Sequence, residues 1–224
     1  NWYVSWEDID EVFLGRAFDI GGFDNWIFID FINKYELNIA KIGKILDKTK
    51  FEKKYDRSVA GNLQTPFYKH LKKGKYGIEG KKFYKCVIEF DGNPGGLFWM
   101  LLWRMLICCN YLKNNYQGSF ANYLKKQYAE YKNVQKISES DFIDIRIDEW
   151  EEFKNKKQPW NELYGIGPNI FDYIMGDVIE LEFVKNSYKL DAANIRFLTT
   201  TGICKSDELD HNIAIKILKN LELP

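Results

Sequence analysis

The sequence has few residues of the types that build metal sites, and it has no long uninterrupted apolar run. Its two histidines lie far apart, and its four cysteines include no C-x-x-C pair. Zinc sites, iron–sulfur clusters and disulfide frameworks need closely spaced ligands or partners, so we expect none of them and predict reduced thiols. No apolar run reaches the roughly 18 residues of a membrane-spanning helix, so we expect no membrane partner. Reduced thiols are typical of intracellular proteins, so we expect a cytoplasmic, intracellular location. The cysteines are Cys86, Cys108, Cys109 and Cys204.

The motifs of several large enzyme classes are also missing. There is no G-x-S-x-G nucleophile elbow, no P-loop and no Rossmann glycine fingerprint. The acidic stretch 141–152 lacks the ligand spacing of a calcium loop. Serine hydrolases of that type, P-loop nucleotide hydrolases and dinucleotide-dependent enzymes are therefore poor hypotheses for this chain.

The chain lacks a net charge, because 32 Lys and Arg residues balance 32 Asp and Glu residues. A neutral average argues against a nucleic-acid binder. The charges are nevertheless segregated: residues 41–85 hold fourteen Lys and Arg against four acids, and residues 139–152 hold seven acids against one Arg. Two explanations fit this pattern. The charged segments form solvated surface faces, or the basic segment forms a surface that binds an anionic polymer.

The residue pattern predicts a mainly α-helical protein with a small β element in its first half. Aromatic residues make up 17% of the chain, so it has enough apolar surface to fold. Residues 61–80 read as a loop, and 81–90 read as a strand because they are rich in β-branched and aromatic residues. Helices are predicted up to residue 46 and then at 97–115 (buried), 119–134 (amphipathic), 141–156 (capped by Ser140), 168–184, 191–201 and 206–221.

The first motif with a functional interpretation is Gly165-Ile166-Gly167, which is followed by Pro168. Glycines permit positive φ and a close backbone approach, and proline suits the first position of a helix. The pattern predicts a turn that presents backbone N–H groups at a helix N-terminus, which is a natural phosphate site. An ordinary helix-to-helix turn, with Ile166 packed between the two helices, is the alternative.

A second element follows at Asp191, which begins an apolar helix after a short polar loop. A helix N-cap is a common role for Asp and explains this residue by itself. Taken together, LYGIGPN at 163–169 and LD at 190–191, with Arg196 five residues further on, resemble the signature of the helix-hairpin-helix (HhH-GPD) DNA glycosylase superfamily. The match is close over 160–200 and does not extend to the N-terminal half.

The resemblance implies a mainly α, two-lobed helix-hairpin-helix glycosylase fold. Residues 1–96 would form an N-terminal lobe of helices plus the short β element, joined by a C-terminal helix at 203–224. Residues 97–202 would form a helical lobe that carries the hairpin and the catalytic aspartate. A monomer acting on double-stranded DNA is expected.

The resemblance also implies roles for individual residues. Asp191 matches the catalytic aspartate, whose fixed carboxylate supports an oxocarbenium-like sugar. Asn169 stands where lyase members carry a Schiff-base lysine, and an amide cannot form an imine, so a monofunctional enzyme is expected. The hairpin residues expected to hold DNA are Gly165, Ile166, Gly167, Pro168 and Asn169.

Further roles follow from the same resemblance. Tyr173, together with Asn169, matches the base pocket, although core packing explains a tyrosine there as well. Candidate DNA contacts are Lys189, Arg196 and Asn110, the last residue of the segment LLWRMLICCN that is similar to the family's buried helix. A solvent-facing helix end is the alternative for Asn110. Backbone carbonyls at 163–167 would ligate a monovalent cation, K⁺ or Na⁺; no catalytic metal, other cofactor or iron–sulfur cluster is expected.

The leading hypothesis is therefore a DNA glycosylase that flips a modified base and hydrolyses its N-glycosidic bond. A hydrolase of free modified nucleosides or nucleotides on the same fold is one alternative, and a non-catalytic helix-hairpin-helix DNA-binding module is another. The sequence does not identify the base. A defence enzyme against modified phage DNA is an extension of the hypothesis that no particular residue supports.

Overall fold

The computed structural model describes residues 5–18, 25–47, 67–185, 192–203, 205 and 217. Within these ranges the chain is mainly helical, as predicted, with twelve α-helices and three short 3-10 helices at Trp6–Asp8, Lys44–Leu46 and Pro159–Glu162. The α-helices are α1 (Ile9–Arg16), α2 (Asn25–Lys34), α3 (Ile39–Gly43), α4 (Phe67–Lys72), α5 (Gly77–Phe90), α6 (Gly96–Tyr116), α7 (Phe120–Tyr131), α8 (Glu139–Ile143), α9 (Ile147–Lys157), α10 (Pro168–Gly176), α11 (Glu182–Lys185) and α12 (Ala192–Thr200).

The predicted strand at 81–90 is wrong, because these residues belong to helix α5. Gly80, Phe83 and Val87 are the buried residues of α5, and their spacing of three and four places them on one helical face. The aromatic and β-branched composition suggested a strand, but tertiary packing needed only one apolar stripe along the segment. The small β element is therefore not found at 81–90.

Two further predicted boundaries shift. The loop predicted at 61–80 contains α4, while its residues up to 66 lie outside the described part of the chain. The single helix predicted at 168–184 is instead α10, a turn and α11. The turn buries Val178 and Leu181 completely, so the chain leaves the helix in order to place both side chains in the core.

The helix predicted at 141–156 is also two helices, α8 and α9. Ser138 caps α8 in place of Ser140, and its hydroxyl accepts a hydrogen bond from the backbone N–H of Asp141 at 3.1 Å. The break between the two helices lies around Ile145, whose side chain is buried. The backbone of Arg146, with φ −75° and ψ 158°, is extended and separates the two helices.

Helix α9 is tied to α7 through a carboxylate. Glu149 accepts hydrogen bonds from Lys132 Nζ at 2.6 Å and from Tyr128 Oη at 2.5 Å. These two bonds, the one from Lys132 first, hold the pKa of Glu149 below its usual value. The ionised carboxylate is thus favoured in the folded protein.

Helix α6 is the centre of the molecule, as its apolar sequence predicts. Its contact with α3 is so close that a Cβ on Gly43 would lie 2.6 Å from the backbone oxygen of Cys109. The buried apolar residues form one cluster that runs from Trp6 to Phe183, and so it crosses the predicted lobe boundary at 96. The fully buried residues of α6 are Leu101, Leu102, Trp103, Met105, Leu106, Cys108, Cys109 and Leu112.

The cysteines that the structure describes, Cys86, Cys108 and Cys109, are free thiols, and Cys204 lies outside the described residues. Burial raises the pKa of the Cys109 thiol well above its ordinary value. In the described ranges, none of the helices combines the length and the apolar character needed to cross a membrane.

Candidate nucleic-acid site at the glycine hairpin

The glycine hairpin, residues 163–169, connects the 3-10 helix Pro159–Glu162 to α10. Two buried side chains, Leu163 and Ile166, anchor it to the core. The backbone N–H of Ile166 donates to the carbonyl of Leu163 at 3.1 Å and closes the turn. The apolar anchors are buried, whereas Gly165 and Gly167, on either side of Ile166, are both partly exposed.

The two glycines of the hairpin have different structural explanations. Gly165 has φ +80°, and a Cβ there would lie 2.6 Å from Cδ of Arg104, so the fold requires a glycine. Gly167 has φ −109° and ψ 178°, which is an extended conformation open to any residue. A Cβ on Gly167 would meet no described atom within 4 Å. Nothing in the described fold therefore requires a glycine at 167.

The N-terminus of α10 is open to solvent. Gly167 is its N-cap and Pro168 stands at the first helical turn, as predicted. The carbonyl of Gly167 accepts the N–H of Phe171 at 3.0 Å. The N–H groups of Asn169 and Ile170 precede the first possible intrahelical acceptor. These N–H groups and the positive end of the helix dipole favour an anionic ligand.

One face of α6 runs along the hairpin. Arg104, Cys108 and Tyr111 are spaced by four and three residues, so they lie on the same side of the helix. Cys108 Sγ donates to the carbonyl of Tyr164 at 3.2 Å, and the Tyr111 hydroxyl donates to Glu162 Oε2. Burial and this bond to Glu162 raise the pKa of Tyr111, so it stays a protonated donor.

Arg104 is the functional candidate that the sequence-based prediction missed. Its side chain packs against Gly165 and is half-buried. Its guanidinium makes no hydrogen bond or ion pair with any residue that the structure describes. The sequence contains a feature that could have identified it, because Arg104 is the one charged residue in the apolar run 95–109. A positive charge in such a run is retained at a cost, which suggests a purpose beyond packing.

Tyr173, predicted in the base pocket, lies on α10 and contacts Arg16 of α1. Nη1 of Arg16 donates to the Tyr173 hydroxyl at 2.5 Å, and its guanidinium carbon lies 4.5 Å from the ring centroid. Nε of Arg16 also pairs with Asp177 at 2.5 Å, and both side chains are mostly buried. One face of the tyrosine ring is thus covered by a guanidinium and is closed to a stacking base.

Asn110 has a structural position that differs from the one expected. It does not end the buried helix, because α6 continues to Tyr116, and it is only 4% exposed. Its side-chain amide donates to the carbonyl of Gly43 at 2.8 Å and to Asp47 Oδ1 at 3.2 Å. The amide ties α6 to α3 and the following turn, and the structure does not bring it to the hairpin.

The remaining predicted residues are placed only in part. Asp191 and Lys189 lie outside the described residues. Arg196 lies on α12 and is exposed, and its carbonyl accepts the Thr199 hydroxyl at 3.1 Å. The described structure therefore brings together the hairpin, Arg104 and the start of α10. The catalytic assignment of Asp191 stays a prediction from the sequence.

Of the five backbone carbonyls at 163–167 that were predicted to hold a monovalent cation, three already accept a hydrogen bond within the chain. The carbonyls of Leu163, Tyr164 and Gly167 accept hydrogen bonds from Ile166 N, Cys108 Sγ and Phe171 N. Each carbonyl has a second lone pair, so a cation would have to share its ligands with these bonds. Over the described ranges, His, Cys, Asp and Glu side chains form no group of three or more that could hold a metal ion.

The described residues also form a concave site that contains no residue of the glycine hairpin. It is a cleft of about 750 Å³, and its charged lining is mostly acidic. Glu180 in its wall accepts the backbone N–H of Trp6 at 2.7 Å, and Lys185 pairs with Glu182 at 2.9 Å. Carboxylates repel phosphate, so this cleft does not suit a nucleic-acid backbone. Its lining residues are Ser5, Glu7, Glu139, Ile143, Ile179, Glu180 and Lys185.

The comparisons with known proteins found no match for this chain. No protein-family model matches the chain, no curated protein matches it, and no solved structure matches it. A function for this chain must therefore be argued from its own residues.

Proposed function

We propose that this protein is a monofunctional DNA glycosylase that binds a DNA phosphate at the glycine hairpin and removes a modified base. The observation that supports it best is the combination of an open helix N-terminus with the guanidinium of Arg104, which no described residue neutralises. The two-part sequence signature at 163–169 and 190–196 supports the reaction class. Double-stranded DNA is the partner that this proposal requires.

Gly167 supports the phosphate part of the proposal. The described fold does not need a glycine there, since the backbone is extended and a Cβ would meet nothing within 4 Å. A phosphate pressed against the backbone would need one, because a Cβ would hold it away from the amide groups. Charge-assisted hydrogen bonds from first-turn N–H groups, with Arg104 nearby, are the interactions that such a ligand would receive.

The chemical part of the proposal rests on Asp191 and Asn169. Water would supply the hydroxyl at C1′ of the sugar, and the base would leave with the electron pair of the C1′–N bond and a proton. The carboxylate of Asp191 would stabilise the positive charge that develops on the sugar and orient the water. Asn169 has no nucleophilic amine, so no imine and no lyase strand cleavage would follow.

Base release is the decisive measurement. Wild type and Asp191→Asn would be incubated with duplexes that carry different modified bases and with phage DNA rich in modified bases. Mass spectrometry detects freed base, and alkali converts abasic sites into strand breaks. We expect release by wild type, loss of release in Asp191→Asn, and unchanged DNA affinity, because the substitution keeps shape and removes charge.

Other outcomes would contradict parts of this proposal. Strand breaks without alkali would overturn the monofunctional assignment. Tight DNA binding by wild type without any base release would favour a binding module, in which Asp191 only caps a helix. If neither binding nor release occurs, free modified nucleosides are the next substrates to test.

A further inference from the structure

Helices α4 and α5 form a strongly basic surface. Residues 67–90 contain seven lysines and two glutamates. Both glutamates pair with lysines in exposed contacts, Glu79 with Lys82 at 3.3 Å and Glu89 with Lys85 at 3.5 Å. Exposed pairs of this kind contribute little and leave the local field positive.

Several lysines of this surface have no acidic partner. Lys69, Lys72, Lys73 and Lys81 form no ion pair with any residue in the described ranges. All four are exposed. Like charges placed close together destabilise a fold, so packing gives no reason for this cluster. An anionic partner would provide one.

Aromatic rings lie in a row beside these lysines. The ring of Trp99, from α6, lies 6.0 Å from Tyr84 of α5 in a nearly parallel arrangement and 6.1 Å from Tyr68 of α4. Tyr68 ends the row and is 41% exposed, with Lys69 Nζ 5.8 Å from its ring centroid. The Tyr68 ring is tilted by 36° against Trp99 and is partly exposed beside Lys69, so it offers a platform for a planar base.

This surface is separate from the glycine hairpin. Trp99 and Arg104 both belong to α6, but they are five positions apart. At 3.6 residues per turn their side chains leave the helix roughly 140° apart. The basic surface is therefore not an extension of the hairpin site, and the two can be tested independently.

We propose that α4 and α5, with Trp99, form a lysine–aromatic surface that binds a single strand of nucleic acid. The lysines contact backbone phosphates, and an unpaired base stacks on Tyr68. A single strand is favoured because the faces of its bases are accessible, whereas in a duplex they are stacked on each other. Phe83 and Val87 of α5 are buried in the core, and Ile78 is its one strongly exposed apolar residue, so α5 presents no continuous apolar face with which to enter a membrane.

The test compares two triple variants that remove the same charge. The first is Lys69→Gln with Lys72→Gln and Lys73→Gln on the lysine–aromatic surface. The matched control is Lys125→Gln with Lys126→Gln and Lys136→Gln on and after α7, where no ion pair with a described residue is lost. Binding of labelled oligodeoxythymidine is followed by fluorescence anisotropy at several salt concentrations, after circular dichroism has shown that both variants are folded.

We expect the first variant alone to weaken binding and to reduce the salt slope by about 2, which corresponds to three phosphate contacts on a single strand. Tyr68→Ala should weaken binding by about 5-fold to 150-fold, the range for loss of one stacked base. Tyr68 is exposed, so this variant should keep its fold.

Three outcomes would overturn the inference. Equal losses in both triple variants would indicate a nonspecific effect of charge. Unchanged binding by Tyr68→Ala together with tighter binding of a duplex of the same length would remove the single-strand assignment. Binding to vesicles that contain phosphatidylserine, without binding to oligodeoxythymidine, would indicate a membrane surface instead. None of these results depends on base release, so the inference stands or fails separately from the proposed glycosylase activity.

Discussion

Replacing Gly167 by alanine separates a phosphate-binding hairpin from an ordinary turn. The backbone at this residue is extended, with φ −109° and ψ 178°, and the added methyl group would contact no described atom within 4 Å. Alanine restricts the unfolded chain, which stabilises by about 0.4–1 kcal/mol. It is a poorer N-cap than glycine by a comparable amount, so the free energy of unfolding should change by less than about 1 kcal/mol.

The effect on DNA affinity should be much larger than the effect on folding. The methyl group would stand between the phosphate and the amides at the start of α10. Loss of one hydrogen bond to a charged group corresponds to about 1.5–3 kcal/mol, or roughly a 10-fold to 150-fold weaker complex. Fluorescence anisotropy with a labelled duplex at fixed salt measures the affinity, and urea unfolding followed by circular dichroism measures the stability.

Two other glycines provide controls for this experiment. Gly176 lies on the same helix, is exposed and has no atom within 4 Å of an added Cβ, so Gly176→Ala should leave the affinity unchanged and stabilise the fold by about 0.4–1 kcal/mol. Gly165→Ala should instead unfold more easily, because it combines φ +80° with a contact of 2.6 Å to Arg104. If Gly167→Ala binds DNA as tightly as wild type and Gly176→Ala, the hairpin does not hold a phosphate and the reasoning fails.

Three further predictions concern charged residues. Arg104→Gln should weaken duplex binding and reduce the salt slope by about 1. Arg146 is an exposed arginine that forms an ion pair with Asp148, and Arg146→Gln should leave both quantities unchanged; anisotropy across a salt series measures them. Arg16→Ala should destabilise the protein by more than about 1 kcal/mol, because it removes an ion pair with Asp177 in which both side chains are mostly buried; urea unfolding checks this, and a smaller change would contradict it. Glu149 has a lowered pKa in the folded state, so its contribution to stability is present above the carboxyl's unfolded pKa and is lost as pH falls through the folded value. Thermal unfolding should therefore show a steeper loss of stability on the acid side for wild type than for Glu149→Gln, and equal slopes would refute this assignment.

The predicted helices show where local sequence is sufficient. The apolar helix α6 and the amphipathic helix α7 were predicted nearly to their ends, because long periodic patterns decide the element type. The strand at 81–90 failed because its aromatic and β-branched residues also fit a helix whose apolar face is buried. The break near Ile145 was not visible either, since burial of that side chain depends on neighbours distant in sequence.

The candidate site divides in the same way. The hairpin, its proline and the start of α10 could be predicted, because positive φ and helix initiation depend on a few adjacent residues. The place of Asn110 could not be predicted, because its hydrogen bonds reach Gly43 and Asp47, more than sixty residues away in the chain.

By itself, then, the sequence determined the helical class and the hairpin with its open helix N-terminus, both of which follow from short-range backbone preferences and periodicity. Only the tertiary structure decided which charges meet this hairpin. It placed Arg104 against Gly165 and covered one face of Tyr173 with Arg16. Side chains from distant segments come together only when the core packs, and no local pattern specifies that arrangement.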